Sequence, residues 1–248
     1  MNIDDLIKHN FCQQINNDLE PFIKGVGFAD MEVIKENNIP DLEHYIRYTS
    51  FYAVHLFSLC RQLEQAISLL SNYRYSIKDD VGRGYHLSYN VENYFIRLDS
   101  LYDRVLQVVN AIFNFGFKEG SVRKAGMLKK IHKVEGSDKL INSLDELNNI
   151  LKSHSDERRN IIVHRHSYMD KELNMIEMYY DPFFSKLILK DVDKAENFKQ
   201  IRKEQLSFYL RRKKKEFKEI NEECFEKIFL ILNEIEKEYI FNKQKMSF

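Results

Sequence analysis

The scarcity of residues that interrupt helices is the strongest constraint on the fold of this chain. Its 248 residues include only 8 glycines and 3 prolines, so tight turns have few of the residues that they favour. Residues 41–73 contain neither residue, and their apolar side chains return at intervals of three and four. These features predict an all-α protein, an antiparallel helical bundle with an additional long C-terminal helix.

The first half of the chain predicts two long helices. The helix over 41–73 is followed by a connection that contains Gly82 and Gly84, and a second amphipathic helix then continues to Gly116. Two long helices joined by a short loop pack against each other in opposite directions. We therefore expect this pair to be antiparallel.

The second half predicts further helices and one irregular segment. A shorter helix is predicted over 122–132, and Ser137 is placed to cap a third main helix over 138–164. Periodicity weakens over 166–191, which predicts a loop or a short hairpin. From residue 193 to residue 241 the pattern is helical again.

The domain organisation follows from length and continuity. A chain of 248 residues can bury a substantial apolar core, and no internal repeat or low-complexity linker divides the sequence. We therefore predict a single helical domain over residues 1–248, with 193–241 as a helical extension.

Charge and cysteine content predict the compartment. The 38 acidic and 38 basic residues balance, so no overall charge draws the protein to a membrane or to nucleic acid. Cys12, Cys60 and Cys224 are odd in number and widely spaced, which argues against a disulfide framework. The segment MNIDDLIKHNFCQQ has no signal-peptide pattern, and no apolar run is long enough to span a membrane. We expect a soluble, cytoplasmic protein without a cofactor.

The segment DERRNIIVHRHSY, residues 156–168, disturbs the pattern of the third main helix. The row of core leucines on this helix continues into His154, Arg158 and Arg165. A conflict between pattern and chemistry is expected at a functional site. A solvated helix end, at which Arg165 and His166 offset the helix dipole, would also give this pattern.

The spacing within this segment bears on catalysis. Asn160 and His164 are four residues apart and share a helical face, whereas Arg159 and His164 are separated by about 140° around the axis. They would meet if the helix ended near His164, or if a second copy of the helix crossed the first at a two-fold axis.

Arginine and histidine together suffice for metal-independent RNA cleavage. Neutral imidazole takes a proton from a ribose 2′-hydroxyl, and protonated imidazole donates one to a leaving oxygen. Arginine binds phosphate oxygens and stabilises the charge of the transition state. DNA lacks the 2′-hydroxyl, so this chemistry favours RNA.

The run R-N-x-x-x-H, residues 159–164, resembles the signature of the HEPN superfamily (higher eukaryotes and prokaryotes nucleotide-binding), in which this spacing is standard. The order of helices is also similar, and Asp103 resembles the acidic residue inside the family's second helix. The resemblance covers about residues 41–168. It implies a homodimeric, all-α HEPN-type bundle with a composite endoribonuclease site, often in toxin–antitoxin, CRISPR or other defence systems.

The resemblance also implies residue roles. Arg159 would bind or stabilise phosphate, Asn160 would support the geometry, and His164 would perform acid–base work on RNA. Residues expected to support this site are Asp103, Arg158, Arg165 and His166.

Two assignments in the motif stay open. His166 lies seven residues after Arg159, nearly on the same face, so either histidine can be the catalytic one; Asn160 one turn below favours His164. Some HEPN toxins carry a tyrosine two residues after the motif histidine, which a partner nucleotidyltransferase modifies. Tyr168 takes that place only if His166 is the motif histidine. An antitoxin or a nucleotidyltransferase is therefore an expected partner.

A basic run near the C-terminus is a second candidate site. Five consecutive cations could bind RNA phosphates, although a solvated helical face with nearby Glu216 and Glu219 is the alternative. The run consists of Arg211, Arg212, Lys213, Lys214 and Lys215. No metal site is expected, because His154, His164 and His166 have no cysteine or carboxylate at a ligand spacing.

The rival function is a non-catalytic HEPN module. In that hypothesis the R-N-x-x-x-H residues hold a dimer or an RNA-binding interface through hydrogen bonds. An open cleft that contains Arg159 and His164 would favour the enzyme.

Overall fold

The computed structural model describes residues 1–23, 40–72, 83–164, 170–189 and 192–247. The helices are α1 (Ile3–Ile7), α2 (Asn10–Ile23), α3 (Asp41–Leu69), α4 (Arg83–Ile112), α5 (Lys124–Ile131), α6 (Asp138–His164), α7 (Lys171–Tyr180), α8 (Pro182–Leu189) and α9 (Val192–Met246). A short 3-10 turn occupies Glu119–Ser121. No strand occurs among these described residues, and the all-α prediction is confirmed.

Contacts divide the chain into two compact units. The first unit contains Met1–Gln62, Ser100–Ser153 and Asn221–Phe248, and the second contains Leu63–Asp99 and His154–Ile220. The residues of the R-N-x-x-x-H motif belong to the second unit.

In the first unit, α3 and α4 pack in opposite directions, as their connection predicts. The Tyr45 hydroxyl near the start of α3 donates to the Ile112 carbonyl at the end of α4, at 2.9 Å. Helix α9 joins them, because Tyr45 stacks on Tyr239 at 5.7 Å and Lys243 binds Asp18 of α2 at 2.7 Å. The predicted core row of α6 is buried here: Leu140, Leu144, Leu147 and Leu151.

In the second unit, an aromatic stack joins α4 to α9. The rings of Tyr94 and Phe217 lie parallel with their centroids 3.6 Å apart, and Phe95 meets Phe217 edge to face at 5.6 Å. All three side chains are fully buried. Burial of large aromatic rings is a major source of packing energy, so this stack fixes α4 against α9.

The expected loop or hairpin over 166–191 is wrong where the structure describes it, because α7 and α8 occupy 171–189. Asp170 caps α7 by accepting from the Leu173 amide at 2.7 Å. Asp181 accepts from the Phe184 amide at 2.8 Å, and Pro182 is the first residue of α8. Aspartate before a helix and proline at its first position are helix-start signals, and they outweigh the weak periodicity.

Gly84 lies in the first turn of α4 rather than in a connection. A Cβ atom built at this position would lie 2.8 Å from Cα of Glu177 on α7. The first turn of α4 therefore packs directly on α7, and only glycine permits this approach.

No helix in the described ranges is both long enough and apolar enough to cross a membrane.

Burial makes the cysteines unreactive. Cys12, Cys60 and Cys224 are all buried, and burial raises the thiol pKa to about 12 at Cys12 and at Cys224. Because thiolate is the reactive form, we expect none of the three thiols to react with Ellman's reagent in native buffer and all three to react after denaturation. Fast reaction of one thiol in the folded protein would contradict this burial.

Candidate functional site

The two consecutive arginines of α6 have different environments. Arg158 Nη1 lies 2.8 Å from Oε1 of Glu216 on α9, and its guanidinium lies 4.5 Å from the ring centroid of Phe95 on α4. Arg158 thus bridges α4, α6 and α9 by an ion pair and a cation–π contact. Its contacts are those of a residue that positions the helix end.

Glu216 also binds a buried lysine. Its Oε2 lies 3.0 Å from Nζ of Lys213, whose side chain is only 4% exposed. Asp170, the N-cap of α7, lies 3.4 Å from the same ammonium. Burial alone would raise the pKa of Glu216, but Lys213 and Arg158 outweigh it and hold this pKa below 4.5. Two cations and two carboxylates therefore join α6, α7 and α9.

Arg159 is more accessible. Its Nε lies 3.3 Å from Oδ2 of Asp99 on α4, and the side chains of both residues are about one-third exposed, at 37% and 32%. Its Nη1 donates to Oδ1 of the exposed Asn160 at 3.2 Å. A partly exposed ion pair of this kind contributes little to stability.

The contact between Asp99 and Arg159 was not predicted from the sequence. Asp103, the acidic residue expected to support the site, is exposed and lies one turn further along α4. Both aspartates lie on the same side of α4, because residues four apart share a helical face. The sequence therefore predicts Asp99 and Asp103 equally well as partners of Arg159. The packing register between α4 and α6 determines that Asp99 is the one in contact.

The remaining motif residues lie at the limit of the described structure. His164 is the last residue of α6, and its side chain lies outside what the structure describes, as do residues Arg165, His166 and Tyr168. Since α6 is helical from Arg159 to His164, these two positions are about 140° apart around the axis. A single copy of α6 therefore places them on different faces.

The basic run of α9 is not one surface. Lys213 is buried in the ion-pair network, Arg212 contacts Glu172, and Lys215 lies 3.7 Å from Glu219. Five consecutive helical residues point in all directions around the axis, at about 100° per residue. Of the run, Arg211, Arg212 and Lys215 are exposed, and Lys214 is half-buried.

Among the residues that the structure describes, no three histidine, cysteine, aspartate or glutamate side chains group closely enough to hold a metal ion.

Comparison with known proteins places these residues in a family. A family model described as HEPN_Cthe2314-like HEPN matches residues 60–236 of the chain. This range includes Arg159, Asn160 and His164, and also most of α9. No curated protein and no solved structure matches the chain.

The ion-pair network predicts a stability effect with a pH signature. We expect Glu216→Gln to lower the free energy of unfolding at pH 7 by about 3 kcal/mol, because it removes a carboxylate that binds both buried Lys213 and Arg158. The folded pKa of Glu216 is below 4.5, so its stabilisation is present above that pH and is lost as the pH falls through the folded pKa. The difference between the proteins, measured by urea unfolding, should shrink at acid pH.

Glu219→Gln is the matched control. Glu219 and Lys215 are 57% and 76% exposed, so this variant should lose less than about 0.5 kcal/mol. Equal losses in the two variants would show that the network does not stabilise the fold.

Proposed function

Because this chain belongs to the HEPN_Cthe2314-like HEPN family, we propose that it is a metal-independent endoribonuclease that acts as a homodimer, in a toxin–antitoxin or other defence system. The observation that carries the proposal is the contrast between the two arginines. Both are about one-third exposed, but Arg158 is held by Phe95 and by Glu216, which also binds buried Lys213, whereas Arg159, the first residue of R-N-x-x-x-H, pairs with Asp99 and the exposed Asn160. Arg159 is thus accessible to a phosphate group.

The reaction that these residues support is transfer within the RNA strand. His164 in its neutral form takes the proton of a ribose 2′-hydroxyl, whose oxygen then forms a bond to the adjacent phosphorus. The bond from phosphorus to the 5′-oxygen breaks, and a protonated imidazole or water supplies the proton to that oxygen. The products are a 2′,3′-cyclic phosphate and a 5′-hydroxyl. Arg159 stabilises the charge on the phosphate oxygens, and Asn160 orients its guanidinium.

A second copy of the chain would complete the site. The helical separation of Arg159 and His164 by about 140° means that one copy of α6 does not direct both at one phosphate. Between them lie Ile161 and Ile162, which are half-buried, and Val163, which is 49% exposed. An apolar group beside the charged motif fits an interface with the same helix of a partner.

The rival function is a non-catalytic module that binds RNA or protein. This function is supported by the contacts that Arg159 already makes within one chain, with Asp99 and Asn160. An antitoxin or a nucleotidyltransferase acting on Tyr168 would be the protein partner, and Arg211 and Lys214 would add phosphate contacts.

Removal of either motif side chain should abolish cleavage. On labelled single-stranded and structured RNAs in EDTA, we expect kcat to fall about 10²–10⁴-fold in His164→Ala and about 10²–10³-fold in Arg159→Ala. Arg97→Ala is the matched control, since Arg97 is a half-buried arginine of the same unit that donates to Asn93 at 3.0 Å. Absence of cleavage by the parent protein would favour the non-catalytic module, and equal cleavage by all variants would place the activity elsewhere.

A mixing experiment tests the composite site. Mixed and re-equilibrated Arg159→Ala and His164→Ala chains form heterodimers in which one of two sites has both residues, if each site takes them from different copies. With random exchange, about one quarter of the parent rate should return. No recovery, despite heterodimers seen by native mass spectrometry, would mean that both residues act from the same copy.

A further inference from the structure

A second pair of arginines lies in the second unit, around Tyr180 at the end of α7. The guanidinium of Arg83, the first residue of α4, lies 4.6 Å from the ring centroid of Tyr180. The guanidinium of Arg202 on α9 lies 5.2 Å from the same centroid, and the Tyr180 hydroxyl donates to the Arg202 carbonyl at 3.4 Å. Two positive charges are therefore held at one aromatic ring.

These two arginines differ from three others of the unit in their counterions. Arg158, Arg159 and Arg212 each contact a carboxylate. Within the described ranges, the contacts of the Arg83 and Arg202 guanidinium groups are with aromatic rings, and neither makes an ion pair. Guanidinium stacked on a ring keeps its N–H edge available for a bidentate contact with phosphate.

The acidic residue Glu177 lies against Gly84, next to Arg83 in the chain. Burial, and then repulsion by Glu92, raise the pKa of Glu177. In the described ranges Glu177 forms no ion pair with Arg83 or Arg202, so it does not occupy either guanidinium group.

Exposed aromatic rings follow Arg83 along α4. Tyr85 is 72% exposed and Tyr89 is 67% exposed, one turn apart on a face that lies about 120–160° from Arg83 around the axis. The helix then continues to Asp99, the partner of Arg159, which lies about 24 Å from Arg83 at a rise of 1.5 Å per residue. Accessible aromatic rings near cations are typical of surfaces that bind single-stranded nucleic acid.

We propose that Arg83 and Arg202, held on Tyr180, bind a backbone phosphate of single-stranded RNA at a distance from the cleavage site, and that the strand then crosses α4, where Tyr85 and Tyr89 stack on its bases. The inference rests on the proposed function, because it names a second contact of the same substrate. An acidic protein segment would also pair with the arginines, but it would leave two exposed tyrosines without a use.

Direct RNA binding tests this site without cleavage. In EDTA and on the His164→Ala background, the affinity for a fluorescent single-stranded RNA of about 15 nucleotides is measured by anisotropy over a range of salt concentrations. Arg83→Gln/Arg202→Gln should weaken binding at least tenfold at moderate salt. The slope of log K against log salt should become shallower by about 1.4, which is 0.7 for each of two lost phosphate contacts.

Two comparisons separate binding from packing. Lys171→Gln/Lys186→Gln removes the same charge from exposed positions on α7 and α8, and it should change the slope much less. Arg83→Lys/Arg202→Lys keeps both charges but loses the planar stacking group, so it should retain most of the slope. A packing role predicts instead that the Gln and Lys variants lose thermal stability alike and keep the parent slope.

The outcomes are distinct from those of the cleavage assay. Three results would contradict a phosphate site at Arg83 and Arg202. They are an unchanged slope in the Gln variant, an equal change of slope in the Lys171/Lys186 control, and no RNA binding at all. Binding of an acidic peptide such as poly-glutamate in place of RNA, lost in the same variant, would assign the arginines to a protein partner. If the parent cleaves RNA but the Gln variant keeps the parent slope, the nuclease proposal is retained and only the phosphate site at Arg83 and Arg202 is rejected.

Discussion

The pairing of buried Lys213 with Glu216 is the interaction on which the candidate site depends. A lysine that is 4% exposed needs a counterion, and Glu216 supplies one while its second oxygen binds Arg158. Asp170 completes the network and at the same time begins α7. The charge that stabilises α9 against α7 therefore also fixes the end of α6, where the motif lies.

This network explains how adjacent arginines acquire different tasks. Consecutive residues of a helix point about 100° apart, so Arg158 reaches α9 while Arg159 reaches Asp99 on α4. Both contacts are partly exposed, but Glu216 in the first is shared with the buried Lys213. Arg158 therefore positions the end of α6 against α9, and Arg159 pairs with α4.

Helices, which depend on local sequence pattern, were predicted from the sequence. Contacts between helices, which depend on how the helices pack, were not. The paucity of glycine and proline indicated an all-α fold correctly, and the periodicity of 138–164 indicated α6. The helices over 171–189 were missed because their start signals, Asp170 and Asp181 with Pro182, were given less weight than weak periodicity. Asp99 could not be chosen over Asp103 from the sequence, because one turn of α4 separates them and only packing decides.

The basic run also could not be interpreted from the sequence alone. Residues 211–215 are consecutive cations in the sequence, but in the helix they point in different directions, one into a buried ion pair and others to acidic side chains or solvent. The arginines around Tyr180 have no signature in the sequence, since they come from helices more than a hundred residues apart. The charge at a site depends on which helices pack together there, and a run of like charges in the sequence does not predict it.

The contact of Gly84 with Glu177 constrains how relatives of this chain can vary. The Cα of Glu177 lies only 2.8 Å from the place that a Cβ atom at position 84 would take, so α4 and α7 are in backbone contact at this point. A relative with alanine at the equivalent of position 84 would have to shift α7 outward by at least several tenths of an ångström, or shorten the side chain at the equivalent of 177 and move the backbone as well. Because every residue has a Cα atom, no substitution at position 177 alone would remove this clash, and glycine at position 84 is what lets the two helices approach.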